Sequence, residues 1–238
     1  MRKIAIVSGA SGLVGMQLLH QLFTSKEYLY VITLSRRELA LKHPKLAQVV
    51  TDFSSLKTQH LPDKLREKNM GGDLNPLIKE LEEKTVEIHG YCALGTTIKQ
   101  AGSKERFYEI DHDYVIDFAK WCHALGAGAF LYVSAMGADK DSGIFYNKVK
   151  GEVEHDLQKI PFNYLGIFRP SLLTGNRRES RLGEDIGGVG LKVLNFIGLL
   201  RKYKPIPGVK VAKCMIHQAN IPKSQKIEIM LSKDMQPF

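Results

Sequence analysis

A chain of 238 residues, 44% hydrophobic and 25% charged, has the composition of a folded globular protein, long enough for one full core with a modest addition and too short for two independent ones. No apolar stretch approaches the roughly 20 residues that span a bilayer, and the short apolar run of MRKIAIVSGA passes straight into a glycine turn, so it reads as a first strand and not a secretory leader; the expected location is cytoplasmic. The formal charge of +9 is uneven, because residues 201–238 carry eight Lys/Arg against only Glu228 and Asp234, and without a recognised DNA- or RNA-binding motif this is a solvated basic face rather than a nucleic-acid site.

The first element is the most informative. A buried strand over Ile4–Val7 runs into Gly9-Ala10-Ser11-Gly12-Leu13-Val14-Gly15 and then into a helix over 13–24. Strand, glycine turn and helix in that order form a phosphate cradle: glycines allow a tight turn and close backbone approach, and the unpaired N–H groups of the new helix face a diphosphate. Gly9, Ser11, Gly12, Leu13, Val14 and Gly15 are therefore candidate dinucleotide-binding residues. The second strand, 29–35, ends in Ser35-Arg36-Arg37 with no acid before Glu38. Two guanidiniums suit a 2′-phosphate, which favours NADP(H) over NAD(H).

A third strand over 48–52 leads to Asp52 and Phe53, placed to meet an adenine amino group and cover the ring. A charged crossover near 63–84, broken at Gly71-Gly72, precedes a strand over 86–94 that ends toward Leu94, Gly95 and Thr96. A long helix is expected over 105–125, a fifth strand over 128–134, a helix over 146–158 and a sixth strand over 163–169. This alternation predicts an α/β fold with a doubly wound parallel sheet, residues 1–170 forming the dinucleotide-binding domain. Residues 171–238, irregular and glycine-rich, are expected to fold over the sheet ends as a substrate-covering region. Within them the apolar run 189–200 reads as a packed helix. The three cysteines, Cys92, Cys122 and Cys214, lie far apart without metal-ligand spacing, so neither disulfides nor a metal site is expected.

The second constellation is Ser134, Tyr146 and Lys150. Tyr146 and Lys150, four apart on a helix, share a face, and Ser134 ends the fifth strand. An ammonium beside a phenol should depress its pKa and make it a usable proton donor and acceptor, with the serine hydroxyl holding the substrate oxygen.

These residues resemble the short-chain dehydrogenase/reductase superfamily. The stretches CALGTTIKQAGSKERFYEIDHDYVIDFAKW, YVSAMGADKDSGIFYNKVKGEVE and FRPSLLTGNRRESRLGE look like its atypical Tat-interacting-protein branch. That resemblance implies a Rossmann-like fold, NADP(H) binding and carbonyl reductase chemistry. It assigns Gly9, Gly12 and Gly15 to the diphosphate, Arg36 and Arg37 to the 2′-phosphate, Leu94-Gly95-Thr96 to the ribose side, Ser134, Tyr146 and Lys150 to catalysis, and Pro170 and Ser171 to the nicotinamide. Asp111 stands where many extended members have asparagine, and Ser171 where the branch usually has glycine. The implied partner is a small carbonyl or alcohol substrate; a regulatory module that binds NADP(H) without turnover is the alternative, and a homodimer is left open.

Overall fold

The computed structural model describes residues 2–68, 73–175 and 204–238. Its centre is a parallel sheet built from β1 (Lys3–Ser8), β2 (Tyr28–Ser35), β3 (Leu46–Val50), β4 (Glu87–Cys92), β5 (Ala129–Val133), β6 (Tyr164–Arg169) and β9 (Ile227–Leu231), in the order β3-β2-β1-β4-β5-β6-β9. Strand order reverses between β1 and β4, which pair in register from Lys3 opposite Glu87 to Ser8 opposite Cys92. This is the doubly wound Rossmann arrangement, and its ligand crevice lies beyond the carboxyl ends of β1 and β4.

Strand periodicity divides the core between the two faces. Ile4 and Ile6 point into one apolar cluster and Ala5 and Val7 into the other. On the second face lies α1 (Leu13–Thr24), whose Val14, Leu18, Leu19, Leu22 and Phe23 are buried at helical spacing. The first face is covered by α2 (Leu61–Lys68), α3 (Asn75–Glu82), α6 (Tyr114–Ala124) and α7 (Phe145–Leu157). Two short helices, α4 (Ile98–Ala101) and α5 (Lys104–Tyr108), precede α6. The single helix expected over 105–125 is interrupted by a π-helical turn at Glu109–Asp113.

The segment expected to cover the sheet ends divides in two. Residues 206–235 join the layered fold: α8 (Gly208–Asn220) buries Val211, Ala212, Cys214 and Met215 in the cluster that α1 also fills. The strand β9 (Ile227–Leu231) then pairs with β6 from Leu165 opposite Ile227 to Arg169 opposite Leu231, and α9 (Ser232–Met235) follows. A small ladder of β7 (Leu173–Thr174) with β8 (Ile206–Pro207) brings the chain on either side of residues 176–203 together. Side chains at Gly175 and Gly208 would each stand 2.7 Å from the Leu13 side chain, so this ladder abuts the start of α1. The apolar run 189–200, the ESRLGE stretch and the Gly71-Gly72 break lie outside the described residues.

Because β9 is hydrogen-bonded to β6 and Met235 is fully buried, ending the chain at Pro222 should lower the thermal denaturation midpoint of the whole protein and speed its proteolysis. An unchanged midpoint by calorimetry would show that these residues merely cover the fold.

Candidate functional site

Backbone contact shapes the crevice first. The chain leaves β1 through Gly9 at φ +73, where a Cβ would stand 2.3 Å from the backbone carbon and oxygen of Ala93. A Cβ on Gly15 would stand 2.1 Å from the carbonyl oxygen of Gly9. Both positions are restricted to glycine by contact with main chain, the first by its left-handed conformation as well. Gly12 donates its N–H to the Gly9 carbonyl at 2.9 Å and opens α1 without any side-chain cap. The first N–H groups of the helix thus lack intrahelical acceptors and carry the positive end of its dipole.

A cleft of about 600 Å³ extends from this turn, and Gly9, Ser11, Gly12, Leu13 and Val14 form its floor. At one end Ser35, Arg36 and Phe53 line it; Phe53 is buried and stacked on Tyr114 with ring centroids 5.5 Å apart. Two neighbours expected beside them lie outside the lining. Arg37 follows Arg36 on the exposed turn, its carbonyl accepting from the Ser35 hydroxyl at 2.6 Å. Asp52 uses its carboxylate to accept the Ser54 N–H at 3.1 Å, and that bond, reinforced by the charges of Arg106 and Arg36, holds the carboxyl below its ordinary range. Sequence reasoning missed Arg106, which lines the cleft, pairs with Glu109 and donates to the Tyr114 hydroxyl at 3.1 Å. Its helical segment carried no signal that set this arginine apart.

The middle of the cleft is formed by Leu94, Gly95 and Thr96 at the exit of β4. Here the π turn brings in Asp111, which is 0% exposed. Its Oδ2 accepts the Thr96 N–H at 2.8 Å and its Oδ1 stands 2.9 Å from Lys150 Nζ. Such turns widen a helix by one residue and recur at functional sites. Lys150 also donates to the Tyr132 hydroxyl at 3.1 Å. Burial alone would favour the neutral amine, but Asp111, aided by the phenols of Tyr132 and Tyr146, holds the ammonium well above its usual range.

Tyr146 and Lys150 both line the cleft from α7, with Ser134 facing them from beyond β5. The phenol does not shift as the sequence leads one to expect. Burial pushes Tyr146 up, and the opposing pull of Lys150 is countered by Asp111 beside it. Ser134 donates to Glu154 Oε1 at 2.5 Å, and Glu154 is forked to Arg169. The remaining expected residues stand apart from the cleft lining. Gly15 acts through packing, the buried Pro170 gives its carbonyl to Met136 N–H at 3.0 Å, and the Ser171 hydroxyl bridges the Lys204 carbonyl at 2.6 Å and the Ser232 hydroxyl at 2.8 Å. Among the described residues no group of three or more His, Cys, Asp or Glu is disposed to hold a metal, and no helix is long and apolar enough to cross a membrane.

No protein-family model matches the chain. Protein HTATIP2 of Rattus norvegicus is 31% identical over 238 residues, spanning 97% of this chain and 87% of that protein. The chain belongs to the HTATIP2-related atypical short-chain dehydrogenases/reductases. Another relative of this HTATIP2-related chain is Protein FMP52, mitochondrial, of Debaryomyces hansenii, 32% identical over 230 residues and covering 93% of this chain and 89% of that one. The FMP52 protein of Saccharomyces cerevisiae, 28% identical over 237 residues, is likewise named mitochondrial. These names overturn the cytoplasmic expectation, which rested only on the lack of a recognisable leader or span. Solved structures similar in fold include MoeE5 in complex with UDP-glucose and NAD (TM-score 0.65, 13% identity, 95% of this chain and 75% of that one). The YIR035C short-chain dehydrogenase/reductase of Saccharomyces cerevisiae is another (TM-score 0.63, 16% identity, 98% and 96%).

The buried Asp111–Lys150 pair generates a test that needs no substrate. Asp111→Asn keeps an acceptor for Thr96 but leaves Lys150 without its counter-charge, so unfolding free energy should fall by about 3–5 kcal/mol. Phenol ionisation at Tyr146, read as the ultraviolet difference against a matched Tyr146→Phe background, should move to lower pH. An unchanged midpoint would show that Asp111 does not act on the phenol.

Proposed function

We propose that the protein is an NADP(H)-dependent oxidoreductase that interconverts a small or lipophilic carbonyl compound and its alcohol, with Tyr146 as the proton donor in reduction. One observation carries this reading: the β1–α1 glycine cradle and the Tyr146–Lys150 face of α7 open into the same cleft. A dinucleotide suits the residues present, since the uncapped start of α1 fits a diphosphate and Arg36 beside Ser35 fits a 2′-phosphate. Phe53 offers an apolar wall for the adenine, and Leu94, Gly95, Thr96 and Lys150 lie on the way to the nicotinamide end. When bound, the cofactor supplies or accepts the hydride.

The chain's own residues handle the proton. A phenol pushed up by burial is neutral at ordinary pH, as an acid must be before it donates. In reduction the carbonyl carbon gains the hydride and the carbonyl oxygen gains the Tyr146 proton, leaving a phenolate that the Lys150 ammonium stabilises until solvent restores the proton. Asp111 anchors that ammonium to the β4 exit through Thr96. The alternative, a regulatory module that responds to NADP(H) without turnover, draws support from the same pair, because Asp111 already compensates the charge that would otherwise activate Tyr146. The names of the FMP52 relatives support a mitochondrial location, which fractionation of cells expressing the tagged chain tests.

Cofactor choice is measurable by calorimetry. NADPH should bind at least about tenfold tighter than NADH, the equivalent of one charge-assisted hydrogen bond. Arg36→Ala should erase most of that preference and Arg37→Ala little of it; equal affinities in the unsubstituted protein would refute the 2′-phosphate assignment.

Tyr146→Phe keeps the ring beside Phe107 and removes the transferable proton. Dinucleotide affinity should hold, while turnover across a panel of aldehydes and ketones, followed at the nicotinamide absorbance, falls roughly 10²–10⁴-fold. No turnover in the unsubstituted protein, with a nucleotide-dependent partner interaction preserved in the variant, would replace the enzyme by the regulatory module.

A further inference from the structure

Tyr146, Lys150 and Glu154 follow one another at four-residue intervals along α7, so all three side chains leave the same side of the helix. The third is buried, 3% exposed, and it determines what the serine can do. Ser134 has one hydroxyl proton, and that proton is directed at Glu154 Oε1 across 2.5 Å. Its backbone N–H is also engaged, donating to the Phe168 carbonyl at 2.7 Å. Arg169 holds Glu154 in place: Nε donates to Oε1 at 3.0 Å and Oε2 at 3.2 Å, and Nη2 to Oε2 at 2.5 Å. An ionised carboxylate only accepts hydrogen bonds, so the direction of the serine hydroxyl is not free to reverse.

Ser134 nevertheless lines the cleft beside Tyr146 and Lys150. With its proton engaged on the helix side, what it presents to the cleft is a lone pair. We propose that Glu154, clamped by Arg169, fixes Ser134 as a hydrogen-bond acceptor toward the cleft, so that the ligand group seated against the serine is a hydroxyl or another donor rather than a carbonyl or alkoxide oxygen. Glu154 is then a positioning residue, acting through Ser134. The kinetic consequence rests on the hydride-transfer reading above: the developing alkoxide meets one donor, Tyr146, instead of two, and the bound alcohol is favoured over the bound carbonyl.

Glu154→Gln reverses this polarity with almost no change of shape. An amide oxygen retained by Arg169 turns the amide nitrogen toward Ser134, and a serine that accepts from that nitrogen sends its own proton into the cleft. A restored oxyanion donor accelerates both directions of one reaction alike, since the overall equilibrium is fixed by the reactants.

Neutron diffraction from deuterium-exchanged crystals of the full chain reads the serine without any substrate. The expected result is a Ser134 deuterium between Oγ and Glu154 Oε1 in the unsubstituted protein, and one turned into the cleft in Glu154→Gln. A deuterium pointing into the cleft of the unsubstituted protein overturns the proposal, whether or not the variant folds. With benzaldehyde, cyclohexanone and their alcohols as probes, Glu154→Gln should raise kcat/KM by about 10²-fold, lowering KM for the carbonyl and raising it for the alcohol. Unchanged kcat/KM and KM values in a folded, active variant also overturn it. Lack of turnover by both proteins counts against carbonyl reduction and leaves the serine's polarity to the neutron map.

Discussion

Three stretches of main chain meet at the end of β1 more closely than any side chain would allow, and the cleft takes its form from that meeting. Gly9 touches the backbone of Ala93 as β4 ends, and Gly15 rests on the carbonyl of Gly9. The start of α1 is thereby drawn down over the gap where strand order reverses, with its uncapped N–H groups at the mouth of the crevice. The same contact sets how far the cradle stands from α7 on the opposite side, because β1, β4 and β5 are in continuous register between them. Close packing at a turn therefore fixes the span that a ligand must bridge.

Beyond that turn the site is organised by two buried carboxylates, each with a cation. Asp111 answers Lys150 and Glu154 answers Arg169, and the carboxylates are almost wholly inaccessible to water. Ion pairs so placed add little net stability compared with apolar packing, yet removing one partner is costly. Their contribution here is geometric. Asp111 joins the π turn to the β4 exit and to α7, while Glu154 joins α7 to Ser134 and to the end of β6. Five separate elements are held around one cavity by side chains whose hydrogen-bonding directions are already determined.

The cradle and the Tyr146–Lys150 pair could be read from sequence because each depends on short-range spacing: an apolar run, glycines at fixed intervals, two residues one helical turn apart. What escaped depends on contacts remote in sequence. Glu154 looks like any acid on a helix until Arg169, 15 residues later, is seen to fork onto it. Arg36 and Arg37 look equivalent as a pair, but the chain bends as it leaves β2, with the Ser35 hydroxyl bonded to the Arg37 carbonyl, and of the two only Arg36 lines the cleft. The π turn has no local signature; apolar periodicity over 105–125 is nearly that of an unbroken helix. Strand β9 was hidden because it is an edge, with Ile227, Ile229 and Leu231 exposed and its neighbours half-buried, a pattern unlike the continuous burial of β1 or β5. Ser171 was placed by resemblance beside the nicotinamide, whereas its hydroxyl turns to Lys204 and Ser232.

That last contact belongs to a narrow neck. Leu173–Thr174 pairs with Ile206–Pro207, Ser171 clasps the Lys204 carbonyl, and Gly175 and Gly208 close around Leu13 of the cradle. The chain thus departs from the sheet and returns to it through one fastened doorway at the rim of the cleft. Leu13 lines the cleft and also fills the space between the two jambs, so one side chain couples the cradle to the neck.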